Sequence, residues 1–591
     1  MRIVLSVLVC ALALAVGRSV QGAGSSHLPP GLPPEVAARV DASPLRHHFL
    51  PPTRIVWRSE AGVKNAESLL GAKPGQAVLV EPVPPLELKG SAGAPAGILL
   101  DFGVEVQGYV ELFTPMMSEQ AKLRRVRIRF GESVSEAMSE PGGKQNAGND
   151  HAVRDQVVTL PWLGKKMVGP SGFRFVRIDN AEAGLPVQLS QVRAVLQLRD
   201  APYVGSFRCD DERLNRIWDV GAYTVHLNMQ EYLWDGIKRD RLVWLGDLHP
   251  EVATVNAVFG FNEVVPRSLD LIRDVTKPTE WMNGISSYSM WWVIIHEDWW
   301  RHHGNRAYLE AQKTYLAALL AHLASFVDAD GREKLDGMRF LDWPTYENKQ
   351  AVAEGLQAML LLALESGERL MVTLDDPATA KLCRDTVGRL RRQQPAVSGR
   401  KSPAALLALA GVREAKAVAA ETLKRDGPKD LSTFYGYYVL QALAKAGEIE
   451  TALDFIRTYW GGMLDLGATT FWEGFDLAWT ENAGRIDELV PPGKKDVHGD
   501  CGEHCYVGFR HSLCHGWASG PTAWLSQHVL GVEPVEPGFG QVRITPRLGN
   551  LKWAEGTYPT PRGPIRVRHE RGADGTVTSR VEAPAGVTVV K

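Results

Sequence analysis

Residues 235–247 read DGIKRDRLVWLGD and hold three aspartates, a lysine, two arginines and a tryptophan in thirteen positions. Carboxyl groups can give or take protons, and an arginine can grip a carboxylate in a fixed fork. The strip therefore has the groups for acid–base chemistry. Spacing alone does not separate that from a solvated helix start: Asp235, Arg239 and Asp240 sit four and five apart, as in an i,i+4 ion pair. Trp244 taken singly reads as core. Two other stretches raise the same choice. In GATTFWEGFD, Glu473 stands between Trp472 and Gly474 and by itself is a loop carboxylate capping a backbone amine; in SLCHGWASGP, His515 by itself is a hydrogen-bonded packing residue. YSMWWVIIHEDWW brings Trp291, Trp292, His296, Glu297 and Asp298, and RFLDWPTYENK brings Asp342 and Trp343.

The stretch HGDCGEHCYVGFRHSLCHGW gathers His498, Cys501, His504, Cys505, His511, Cys514 and His515. Its spacing matches no common structural zinc pattern, and Cys501 and Cys505 could pair instead in an exported protein. No metal and no cofactor are expected.

At 591 residues the chain exceeds one hydrophobic core, so two to four domains are expected. With 45% apolar residues and 17 tryptophans, it is not a disordered chain. The 66 basic and 68 acidic side chains leave a net charge of -2, which excludes the basic stripe of a nucleic-acid binder and favours an uncharged or weakly charged ligand. The start, MRIVLSVLVCALALAVGRSVQGAGSS, has Arg2, an apolar run from Ile3 to Val16 and small residues near Gly22 and Ala23. This predicts a signal peptide over 1–23 and an exported protein, periplasmic or extracellular, with no membrane span. Cys10 lacks the flanking residues of a lipid-anchor site. The five cysteines beyond the signal are too few for a disulfide framework, so the core must hold the fold.

The elements that must position these residues come in three blocks. From about 45 to 205 the chain runs in short alternating stretches such as RVRIRFGE and VQLSQVRAVLQL, separated by Gly, Pro and Asn, which predicts a β-sandwich region over 24–205. From 206 to 532 apolar residues recur at three and four, as in NRAYLEAQKTYLAALLAHLASFV, predicting helical hairpins. Strands return in VRITPRLG, IRVRHE and TVTSRVEAP, within a C-terminal β-sandwich domain over 533–591. Helices with aromatic-rich loops suit a carbohydrate ligand, since tryptophan stacks on sugar faces and carboxylates bind hydroxyls.

The strip resembles the acidic signature of family 78 glycoside hydrolases, the inverting α-L-rhamnosidases. Asp235, Arg239, Trp244 and Asp247 match in kind, and Asp240 stands where that family usually has a glutamate, one methylene longer. GATTFWEGFD resembles the segment carrying the family's second catalytic glutamate and SLCHGWASGP the segment carrying a sugar-binding histidine, in the same order. With the closing PGFGQVRITPRLGNLKWAEGTYPTPRGPI, the resemblance spans about 200 to 575. It implies an (α/α)6 barrel as the central all-α domain, with the site at one mouth. It also implies exo-hydrolysis of a terminal α-L-rhamnosyl or similar residue from a polysaccharide or glycoside, with Asp240 as acid and Glu473 as base about 6.5 to 9.5 Å apart. Asp235, Arg239, Trp244, Asp247, Trp291, Trp292, Trp343 and His515 are then the substrate-binding residues. Burial against Trp244 beside Asp235 and Asp247 is expected to raise the pKa of Asp240, with Arg239 paired to another carboxylate or the sugar. The alternatives are another (α/α)6 enzyme, such as an unsaturated uronyl hydrolase, and a non-catalytic carbohydrate-binding protein.

Overall fold

A computed structural model describes residues 33, 43–117, 122–142, 148–504 and 506–590. The expected signal peptide and Cys505, with its pairing to Cys501, lie outside these residues. From Leu45 onward the chain is one compact unit, and among the described residues no helix is long and apolar enough to cross a membrane.

The first block is sheet-rich. Seven strands form one sheet around the long antiparallel pair Gly97–Thr114 and Gly164–Asn180, and Val63–Lys64, Leu86–Leu88 and Val187–Leu189 form a second sheet of three. Alternation explains the faces: Val126, Ile128 and Phe130 of Arg124–Gly131 point inward with Leu86, Leu88 and Leu189 from the smaller sheet, into one core. That core also takes Leu227, Ile237 and Cys514 from far along the chain. A side chain at Gly172 would lie 2.8 Å from Ile237, so the sheet admits the strip only because position 172 is glycine.

The central block is helical. Its long helices begin at capping side chains: Asp211 accepts from the amides of Arg213 and Leu214 ahead of Glu212–Asn228, Asn305 from Tyr308 ahead of Arg306–Ser325, and Asn348 from Ala351 ahead of Lys349–Thr373. Lys349–Thr373 packs against Pro377–Leu390 and against Ser286–His303. The strip 235–247 and the stretches around Glu473 and His515 all fall outside the long helices, in connecting segments with only short turns.

The C-terminal strands make a four-stranded and a three-stranded sheet, and here the structure departs from the expected boundaries. Ser206–Cys209, placed by the sequence at the start of the helical block, pairs with Trp553–Tyr558 and so belongs to the C-terminal sheet. Ala554, Tyr558, Ile565 and Val567 share one core with the helices. So short a strand set has too little interior to cover its own apolar face, and it uses the helices to do so.

Candidate active site

Three segments distant in sequence lie side by side. The Glu473 amide donates to the Ser512 carbonyl at 3.0 Å, the His515 amide to Phe471 at 2.9 Å, and the Gly516 amide to Asp235 at 2.8 Å. The crossing is tight at Gly236, where a Cβ would sit 3.0 Å from His515 Nδ1. Within the strip the Asp235 amide donates to Leu242 O at 3.1 Å, and the Leu242 amide returns a bond to Asp235 Oδ1 at 3.0 Å. The turn between them places Asp240 and Arg241 at φ 56° and 55°, in the left-handed region where aspartate is better tolerated than most residues.

The strip is therefore not a helix start, and the i,i+4 pair of Asp235 with Arg239 does not form. Arg239 instead bridges two carboxylates: Nη2 donates to Glu473 Oε1 at 2.6 Å and Nη1 to Asp240 Oδ1 at 3.1 Å. The expected pairing of Arg239 with another carboxylate is found at Glu473, and the tight turn adds a second one, to the adjacent Asp240, by bringing the two side chains to one side. Asp240 Oδ2 accepts the Trp244 Nε1 hydrogen at 3.2 Å, so both of its oxygens are engaged as acceptors. Glu473 is buried, and its Oε2 accepts the Ser512 amide at 3.1 Å.

Asp247 precedes the helix Leu248–Val258 but does not cap it with its side chain. Oδ1 accepts from the Tyr288 hydroxyl at 2.9 Å, and Oδ2 meets His515 Nε2 at 3.1 Å. The other ring nitrogen, Nδ1, is buried without a hydrogen-bond partner and faces Glu473 Oε1 at 3.8 Å. Burial opposes a charge on His515, but Glu473, Asp247 and Asp235 outweigh it and raise its pKa. Burial pushes Asp235 well above the usual carboxyl range, with His515 opposing and Asp247 and Asp240 adding to the rise. Asp247 is raised by burial too, against its bonds to His515 and Tyr288. The carboxyl of the strip pushed furthest above its usual range is thus Asp235, which is buried as Asp247 is.

A cavity of about 390 Å³ opens at Glu473, with Trp343, Trp479, Tyr506 and Trp517 among its walls and Asp342 at its edge. Trp343 stacks on His504 with centroids 5.8 Å apart and meets Tyr506 edge-on. Asp342 is held by the hydroxyls of Ser402 and Ser432 at 2.6 and 2.8 Å. Trp244 is half-buried and edge-on to Tyr288.

Trp291 and Trp292, expected to line a sugar pocket, are not among the walls of the cavity at Glu473. Both are buried in the core, on a helix whose apolar residues face inward on nearly every side. Trp292 lies over His296, and Trp291 stacks on His249 and on Tyr438 against a larger cavity of about 710 Å³ beside the C-terminal strands. The polar groups of that cavity satisfy one another: His249 reaches Asp298 and Tyr438 at 2.9 Å each, and Arg369 pairs with Glu297.

The residues of the histidine- and cysteine-rich stretch disperse. His504 stacks on Trp343, His511 Nε2 accepts the Gly474 amide at 2.9 Å, Cys514 enters the sheet core, and His515 meets Asp247. His498 lies with Glu132 and Glu136 in a cluster of metal-ligand type. Lys238 Nζ is already among them, at 3.1 Å from Glu132, 3.3 Å from Glu136 and 3.3 Å from His498 Nε2, so a side-chain cation occupies the place of an ion.

Sequence reasoning missed Lys238 and its glutamates, and it missed Trp479, Tyr506 and Trp517 as cavity walls. Trp517 and Tyr506 stand two and nine residues from His515 in the quoted stretches, which is the one signal that pointed to them.

Residues 202–363 match the family model for the bacterial alpha-L-rhamnosidase 6 hairpin glycosidase domain, and residues 531–590 the model for the bacterial alpha-L-rhamnosidase C-terminal domain. An alpha-L-rhamnosidase of Alteromonas sp. is 24% identical over 536 residues, covering 81% of this chain and 54% of that protein. The GH78 family rhamnosidase of Bacillus sp. GL1 superposes with a TM-score of 0.69 at 23% identity, over 88% of this chain and 55% of that one. The alpha-L-rhamnosidase of Streptomyces avermitilis complexed with L-rhamnose gives 0.67 at 19% identity, over 93% and 50%. The chain spans about half the length of the curated relatives it matches most fully. The resemblance to family 78 glycoside hydrolases stands, and the fold is shared with those rhamnosidases.

Proposed function

We propose, from the matches to two rhamnosidase domain models and the shared fold, that this protein is a glycoside hydrolase that removes terminal α-L-rhamnosyl or closely similar residues by inversion, from a central (α/α)6 barrel. The observation that carries the reading is the Arg239 bridge between Asp240 and Glu473 beside an aromatic-walled cavity. It joins two of the three family-like motifs at a single guanidinium, and the third supplies His515 against the same Glu473. The cavity is large enough for a monosaccharide and has tryptophan walls for its apolar face.

Glu473 acts as base. Arg239 and the Ser512 amide hold its two oxygens, and each retains a lone pair for the attacking water. His515, with Nδ1 3.8 Å from Glu473 Oε1, places its charge beside the base. Asp247 and Tyr288 keep the ring in place. Asp240, Arg239 and Trp244 form the leaving-group side. The apolar run at the N-terminus supports export to the periplasm or medium.

The test is incubation with aryl glycosides and rhamnose-containing polysaccharides, identification of the released sugar, and proton NMR of the first-formed anomer. Release of rhamnose with inverted configuration supports the reading. One observation favours a non-catalytic sugar-binding protein: Asp240 is tied up by Arg239 and Trp244. Rhamnose binding without release from any substrate would decide for it.

A further inference from the structure

Asp240 has a third neighbour. His151, from the sheet-rich block, places Nδ1 3.5 Å from Asp240 Oδ1. The turn that carries it is built rather than loose. Asn149 Oδ1 accepts the amides of Arg154 and Asp155 at 2.7 and 2.9 Å, its Nδ2 donates to Asp155 O at 2.9 Å, and Arg510 binds Asp150 at 2.6 Å. Arg154 is buried and bonded to Ser171 and to Gly172 O. At 30% side-chain exposure, His151 is open to solvent at a fixed position, whereas Asp235 and His515 are both buried.

Resting on the glycosidase reading above, we propose that His151 is the proton donor to the leaving group and that Asp240 is the carboxylate that orients it. Asp240 serves as acceptor on both oxygens, to Arg239 and Trp244, which suits a group that steadies a cation better than one that gives up a proton. A carboxylate on Nδ1 of a histidine whose Nε2 does the proton transfer is a recurrent catalytic arrangement. Histidine also changes charge between pH 5 and 8. Among the described residues Nε2 meets Asp150 Oδ2 and Arg510 Nη2 at 3.5 Å each, long contacts that a glycosidic oxygen can replace. Such contacts commonly tighten once substrate binds. Arg239 then separates two arms, His151 with Asp240 on one side and Glu473 on the other.

The step balances without a co-reactant. The Nε2 proton passes to the glycosidic oxygen as the bond from that oxygen to the anomeric carbon breaks. Water adds to that carbon and loses its proton to Glu473. Glu473 then releases a proton to solvent and His151 regains one. The charged and titratable groups facing His151 are Asp150, Asp240 and Arg510, with Arg239 behind Asp240.

The test compares wild type, His151→Gln, His151→Ala and Asp240→Asn on 2,4-dinitrophenyl α-L-rhamnoside, whose leaving group needs no proton, and on an alkyl α-L-rhamnoside, whose leaving group does. His151→Gln should lose about 10²- to 10⁴-fold in kcat/KM on the alkyl substrate, with the dinitrophenyl substrate largely spared and the alkaline limb of the pH profile gone. Imidazole should restore part of the His151→Ala rate. Asp240→Asn should lose turnover of the alkyl substrate as well, because an amide no longer holds the Nδ1 hydrogen of His151, while the dinitrophenyl substrate is largely spared. Full alkyl-rhamnoside turnover by His151→Gln, or by Asp240→Asn, overturns the proposal while leaving the rhamnosidase reading intact. Wild type inert on both substrates overturns both, and thermal unfolding of each variant identifies any loss that is only misfolding.

Discussion

Lys238 is one point at which the sheet-rich block grips the strip, and Lys238→Met, which keeps the stem and removes the charge, tests how much that grip is worth. Nζ lies 3.1 Å from Glu132 and 3.3 Å from Glu136, and the Lys238 and Glu132 side chains are 4% and 0% exposed. At the 3.1 Å separation, an effective dielectric of about 20 gives an attraction of about 5 kcal/mol. Removing one member of a buried pair typically costs about 3–5 kcal/mol, because the remaining charge keeps its desolvation penalty without a partner. The loss should depend on pH. Burial raises the Glu132 carboxyl above the usual 4.5, and Lys238 is the largest influence opposing that rise. Without Lys238 it rises further. A carboxyl whose folded pKa exceeds its unfolded value makes the folded state the better proton binder, so stability declines as pH climbs from the unfolded value through the folded one. The deficit of Lys238→Met is therefore smallest in acid and grows towards neutrality. His498, whose pKa burial and Lys238 hold well below the usual range, reinforces the trend by accepting the missing charge at low pH. Denaturant unfolding at pH 5 and pH 8 of wild type, Lys238→Met, Glu132→Gln and the double variant measures this, with Glu132→Gln expected to recover most of the loss in the Lys238→Met background. A loss below about 1 kcal/mol at pH 8, or a double variant no better than the sum of the singles, refutes the buried-pair reasoning. In the same variant kcat/KM should fall by about a hundredfold, since a shift near 1 Å of the neighbouring Arg239 misplaces both carboxylates.

Glu473→Gln should lower hydrolysis by about 10²- to 10⁴-fold, and azide should restore turnover as a glycosyl azide of inverted configuration; an undamaged Glu473→Gln enzyme removes this residue from the site. Trp291→Ala should destabilise by about 3–5 kcal/mol with rhamnose affinity intact, whereas Trp343→Ala should weaken rhamnose binding with little change in Tm; calorimetry beside thermal unfolding checks both, and the reverse pattern refutes the placement of the two rings. Asp235→Asn removes a carboxyl whose raised folded pKa costs stability above the usual value of 3.8, so the variant should gain on wild type as pH rises from that value through the folded pKa. Denaturant unfolding from pH 4 to pH 8 measures the gain, and a constant difference across that range counts against a buried, proton-holding Asp235.

The amino-acid sequence by itself determined the order of strands, helices and strands, because periods of two and of three to four follow directly from which faces must avoid water. It also singled out the segments carrying Asp235, Glu473 and His515, through their joint resemblance to three family motifs in the same order, since each residue by itself read as an ordinary ion pair, loop carboxylate or packing group. Their meeting is tertiary: the amide ladder from Phe471 and Glu473 to Ser512 and His515, and on to Asp235, spans hundreds of residues that no local pattern encodes. The partner of Arg239 was decided there too, by a left-handed turn at Asp240 and Arg241 that replaces the helical spacing. Trp291 and Trp292 read the same as a sugar platform and as core, because an aromatic ring buries its area in either setting, and packing on every side of their helix chose the core. His151 carried no signal at all, standing in a polar stretch and becoming notable only when the sheet-rich block was laid against the strip. Sequence pattern records what each element must hide from water. Which charge faces which is set by the docking of elements on one another, and that docking depends on contacts between residues far apart in the chain.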